Sequence, residues 1–185
     1  MGHRVTVEPA TFTLVDFDAA ELEALVEGLL DQLGLDRPLT LEVDERTPLG
    51  RAVITSLDPL VLEVESGALQ DARSLRSFSA VSSTNVLGRL LLRVRDRMDP
   101  AFGDPPADTE LTLPQAAAWD AYSVGRLVRL GHDRFDERQR RLYQFRTRHG
   151  FSDVADAAFA ALWDGTDLTW ADISRLSGDA AAAAA

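Results

Sequence analysis

Residues 85–103, NVLGRLLLRVRDRMDPAFG, carry a helical apolar stripe. At 100° per residue, Val86, Leu87, Leu90, Leu91, Val94 and Met98 occupy an arc of roughly 140°. Arg89, Arg93 and Asp96 fall together outside that arc. The pattern predicts an amphipathic helix from about Ser83 to Met98. Asp99-Pro100 ends it, because proline disfavours the α conformation in the residue before it. Arg89 and Arg93 are four apart, so they share a face one turn apart. Two histidines need the same spacing to hold a metal on a helix.

Upstream, the period changes. Val5 and Val7, then Phe12 and Leu14, alternate with polar neighbours and predict one or two strands within Arg4–Phe17. Asp18 and Glu21 have capping-box spacing. Leu22, Leu25, Val26, Leu29, Leu30 and Leu33 then share one helical face, closed by Gly34. Leu39, Leu41 and Val43 alternate again, and two further strands are expected at Ala52–Leu57 and Leu60–Val64 around Asp58-Pro59. These strands predict a small, mostly antiparallel sheet. Ser66–Phe78 reads as either a short helix or a loop.

Downstream, everything reads as helix. A Pro-, Gly- and Asp-rich loop covers Ala101–Thr109. Thr112 with Gln115 opens a helix to Leu130, and Gly131 follows. Asp136–His149 is an Arg-rich helix before Gly150. Ser152 caps an Ala-rich helix through Trp163. Thr169 with Asp172 opens the last helix, Trp170–Leu176, with Gly178 beyond. Strands first and helices after predict an α+β fold with a predominantly helical C-terminal half, in one domain over residues 1–178. Residues 179–185 are an Ala-rich tail, expected to be disordered or cloning-derived.

Composition removes several kinds of chemistry. The 185 residues contain no Cys, so disulfides, thiolate catalysis and zinc–thiolate sites are excluded. No Lys is present either; all 19 cations are Arg, in a chain rich in Ala, Leu, Asp and Gly, the look of a bacterial high-GC genome. Arg at any one position is therefore a weak sign of bidentate recognition. No run approaches a membrane span. Met1–Ala10 lacks a signal pattern, so a cytoplasmic protein is expected, with no membrane partner. The net charge is −11: about −10 over residues 1–65, +4 over 66–148 and −5 over 149–185. The overall field repels polyanions, and no nucleic-acid motif is present, so a protein partner is expected instead. There is no GxSxG elbow, and VESGALQ, with its single Gly, is not a phosphate loop.

The stretch Asn85–Gly103 resembles the active-site helix of an uncharacterised group of bacterial zincin-like metallopeptidases, whose pattern is close to HExxHxxDxxDPAFG. AAAWDAYSVGRLVRLG (residues 116–131) and LWDGTDLTWADI (residues 162–173) resemble that group's later helices, so the likeness spans about residues 39–178. Asp96, Asp99, Pro100, Ala101, Phe102, Gly103, Trp119, Asp120, Gly125, Arg126 and Gly131 match. The resemblance implies a zincin-like fold. It does not carry over the activity, because Arg89, Leu90 and Arg93 stand where the pattern has His, Glu and His. Arg offers zinc no lone pair, and Leu cannot activate water. His3, His132 and His149 form no HxxxH pair. The resemblance thus implies no metal, no cofactor and no peptidase activity. It leaves a remnant cleft whose candidates are Arg89, Arg93, Asp96, Asp99, Asp120 and Arg126.

Asp120 draws attention without any family argument. It falls amid Ala117, Ala121, Val124, Leu127 and Val128 on the apolar side of its helix. A buried carboxylate needs a partner or a proton. An Arg of a neighbouring helix is expected, Arg89 or Arg93 first; an approach to the surface or a functional carboxylate remain open. Trp119, Trp163 and Trp170 are expected as core anchors. Three functions follow: a non-catalytic binding or regulatory protein, a hydrolase or other enzyme whose site is hidden from sequence, or an interaction subunit using the Arg-rich helix 136–149.

Overall fold

The computed structural model describes residues 4–71, 73–133 and 136–183. His3, Ala184 and Ala185 lie outside them. The fold is α+β. Its contacts gather into two compact units, Met1–Arg95 and Asp96–Ala185, with the boundary inside one helix.

The first unit contains β1 (Val5–Glu8), α1 (Ala19–Leu33), β2 (Leu39–Asp44), β3 (Ala52–Leu57), β4 (Leu60–Glu65), β5 (Gln70–Asp71), β6 (Ser74–Phe78) and most of α2 (Ala80–Met98). The Asp18 carboxylate caps α1 by accepting from the Ala20 N–H at 2.9 Å. Gly34 ends it at φ 66°, a left-handed conformation that glycine adopts without a Cβ penalty.

The main sheet runs in the order β1-β2-β4-β3. It is mixed, not mostly antiparallel. β1 pairs with β2 and β2 with β4 in parallel; only β3 and β4 run antiparallel. The reason is connectivity. α1 is a crossover that returns the chain to the same edge, which makes its two flanking strands parallel. The alternation read from sequence reports which face each residue takes, not strand direction. Val5, Val7, Leu39, Leu41, Val43, Leu60, Leu62 and Val64 are buried. The ambiguous stretch Ser66–Phe78 is a single helical turn at Ser66–Ala68 followed by the β5–β6 pair. α2 begins at Ala80, a few residues before the predicted Ser83, and ends at Met98 as expected.

The second unit contains α3 (Leu113–Arg129), α4 (Glu137–His149), α5 (Asp153–Asp164) and α6 (Trp170–Ala182). The Thr112–Gln115 and Thr169–Asp172 boxes form as read, and Ser152 Oγ accepts from the Ala155 N–H. α6 continues past the predicted Leu176 to Ala182, so residues 179–182 are helical rather than tail. Ala180 is fully buried there, and its packing outweighs the roughly 1 kcal/mol a mid-helix Gly178 costs. The core holds Phe102, Trp119, Tyr122, Phe145, Phe159, Leu162, Trp163 and Ile173, with Trp170 packed against it. Gly125 lets α3 meet α5 closely: a Cβ there would lie 2.2 Å from the Trp163 carbonyl oxygen. Among the described residues no helix is long and apolar enough to cross a membrane.

Candidate functional site

On α2, Leu90 is fully buried, Arg93 is buried and Arg89 is half-buried. The position corresponding to the general base is therefore a core leucine. Among the described residues, no three His, Cys, Asp or Glu side chains group so as to hold a metal ion. Two guanidiniums and a leucine do not fit zinc, which needs neutral imidazoles or anionic donors.

Asp96 is the best-connected of the candidate carboxylates. Arg126 donates from Nη1 to Oδ1 at 2.7 Å and from Nη2 to Oδ2 at 2.6 Å. The Trp119 indole N–H donates to Oδ2 at 2.8 Å. This is fork-on-fork pairing, the strongest geometry an Arg offers a carboxylate. The Arg126 guanidinium also lies 3.9 Å from the centre of the Tyr122 ring. Tyr122 in turn donates to the Thr166 carbonyl at 2.9 Å, and burial pushes its phenol above the usual tyrosine value.

A second buried pair sits alongside. Arg97 Nη2 donates to Asp108 Oδ1 at 2.7 Å and to the Pro106 carbonyl at 2.9 Å. Its guanidinium is 4.5 Å from the centre of the Trp119 ring. Phe102 stacks on the Trp119 ring at 5.3 Å, and Trp170 tilts against it at 5.1 Å. The Trp170 N–H donates to the Phe102 carbonyl at 2.8 Å. Asp99 is exposed and shapes the turn that delivers Phe102: its Oδ1 accepts from Ala101 N–H at 2.9 Å, and its carbonyl accepts from Phe102 N–H at 3.0 Å. The DPAFG residues, with Asp96 and Arg126, thus organise the core of the second unit.

Asp120 has a partner on another helix. On α4, Arg141 Nη1 stands 3.7 Å from Asp120 Oδ2. Arg141 itself is held by Nε donation to Glu137 at 2.8 Å and Nη1 donation to Gln144 Oε1 at 3.2 Å. A cavity of about 260 Å³ opens beside the pair. Sequence reasoning names Asp120 but not Arg141; the i, i+4 spacing from Glu137 was the available signal.

Two features were missed entirely. His149 and Ser177 are buried and bonded, Nε2 to Oγ at 2.8 Å, with Nδ1 on the Phe145 carbonyl at 3.1 Å. The polarity suits a nucleophile and its base, but both residues are core: His149 is 1% exposed and Ser177 3%. In the first unit, Glu8, Glu42 and Glu63 stand in register across β1, β2 and β4. They line a groove of about 450 Å³ with Asp44, Glu65 and Arg51.

No family model, curated protein or solved structure matches the chain.

Proposed function

We propose that this chain is a non-catalytic binding or regulatory protein, built on a zincin-like plan from which the zinc ligands and the general base are gone. One observation carries the reading. Asp96, a carboxylate the zincin-like pattern retains, is buried and has both oxygens engaged, by three donors from Arg126 and Trp119, so its charge is already matched inside the protein rather than by a metal. Leu90, fully buried where the pattern has its base, supports the same reading. The protein is then cytoplasmic, uses no cofactor and acts on a protein partner or a bound ligand. The test is metal analysis of the purified protein together with peptide hydrolysis before and after a chelator. The expected result is no stoichiometric metal and no chelator-sensitive cleavage; stoichiometric zinc with cleavage would favour an enzyme.

A second reading rests on α4. Tyr143 and Phe151 are exposed and meet edge-on at 6.1 Å, with Arg140 exposed beside them. Exposed Tyr and Arg together are the residues that anchor protein interfaces. If α4 is the docking element, Y143A should abolish capture of the native partner without lowering the melting temperature.

A further inference from the structure

We propose that the acidic face of the β1–β2–β4 ladder receives α4 of a second copy of this chain. The proposal deepens the reading of α4 as a docking element and rests on it.

In the first unit, β1, β2 and β4 form a parallel ladder. Parallel strands are normally covered on both faces. Here one face is buried through Val5, Val7, Leu41 and Leu62, while on the other Thr6, Glu8 and Glu63 are exposed. Glu8, Glu42 and Glu63 stand side by side on neighbouring strands, and among the described residues none has a cationic partner. Like charges directly opposite on adjacent strands repel and lower stability. A cationic cover would relieve that repulsion. The row lines a groove of about 450 Å³, with half-buried Val53 beside Glu63 on β3.

The complementary set is on α4. Arg140 and Arg148 are exposed and, among the described residues, have no acidic partner. Exposed Tyr143 lies between them in sequence. Eight residues at 1.5 Å each set the two arginines about 12 Å apart along the helix. Neighbouring strands are about 4.8 Å apart, so Glu8 and Glu63 are roughly 10 Å apart across the ladder. A helix laid across the strands therefore brings a guanidinium to each end of the carboxylate row. It leaves the Tyr143 ring to meet the half-buried Val53 and Val61. The chain as a whole has the same polarity, about −10 over residues 1–65 and +4 over 66–148. Each copy offers one face and one helix, so the contact is heterologous and, unless it closes on itself, continues beyond a dimer.

The experiment is sedimentation velocity of the full chain over a concentration series at low and high salt. Two chains of charge −11 repel overall, so salt strengthens any contact that does not rest on opposite charges. A Glu–Arg contact does the reverse. Association should appear by about 100 μM protein and weaken roughly tenfold between about 50 and 300 mM salt. R140E/R148E and E8R/E63R each change exposed residues, should melt as wild type does, and should each be monomeric. Mixed together they should associate again, because every reversed surface then meets an opposite one. A chain that stays monomeric at low salt, association that grows with salt, or reversal variants that associate like wild type would overturn the proposal. So would two monomeric variants that remain monomeric when mixed. None of these results removes α4 as a docking element; that reading falls only if Y143A also leaves capture of the native partner unchanged.

Discussion

Two carboxylate–guanidinium pairs share α3, and they are built differently. Asp96–Arg126 is closed: two bonds of 2.6 and 2.7 Å, an indole N–H as third donor and a tyrosine ring under the guanidinium. Asp120–Arg141 is longer: 3.7 Å between charges, with a cavity beside it. The first pair has its hydrogen-bonding capacity turned inward and holds a core together. The second joins α3 to α4 through Arg141, which Glu137 and Gln144 also hold.

That contrast breaks most readily at Asp96. D96N preserves shape but leaves Arg126 without its counter-charge, so denaturant unfolding should show a loss of about 3–5 kcal/mol, the usual cost of breaking a buried pair from one side. A loss below about 1 kcal/mol, the level of an exposed pair, would erase the distinction between the two pairs. G125A should cost about 1–3 kcal/mol by pushing α3 away from the Trp163 carbonyl, again read by denaturant unfolding. W119F, which removes the N–H to Asp96 and the five-membered ring of a fully buried indole, should cost about 1.5–3 kcal/mol. D120N should cost less than D96N, about 1 kcal/mol, because its ion pair with Arg141 is longer and Arg141 keeps Glu137 as a counter-charge.

The smallest expected effect concerns pH. Burial holds the His149 imidazole below its ordinary value of 6.5. The folded state keeps the ring neutral between Ser177 and the Phe145 carbonyl, while the unfolded chain takes up a proton as pH falls through about 6.5. The unfolded state then binds more protons, so His149's contribution is complete above pH 6.5 and declines below it. Melting temperatures of H149Q should therefore fall less steeply than wild type as pH drops below 6.5. Parallel curves would mean His149 does not titrate between the two states.

Much of the second unit could be read from sequence because helix ends announce themselves. Thr112 with Gln115, Ser152, and Thr169 with Asp172 mark real caps, and Gly150 follows a real helix. Local hydrogen bonds set these features, so local residues reveal them. Strand direction is not local. The parallel pairing of β2 with β4 depends on β3 reversing the chain between them, which alternation does not encode. The end of α6 was hidden for a similar reason, since Ala180 is helical through packing rather than propensity. At the candidate site, Asp96, Asp120 and Arg126 could be named in advance. Their division between two separate pairs could not, because it depends on which arginine of which helix arrives opposite each carboxylate.

The most direct test of the account is the melting temperature of chelator-treated protein with and without added zinc. A folded-state ligand raises stability by mass action, so a retained zinc site would show itself as a rise of several degrees. With Arg89, Leu90 and Arg93 on α2 and Asp96 closed onto Arg126, the two melting curves should coincide. A zinc-dependent rise of several degrees, reversed by the chelator, would contradict the account.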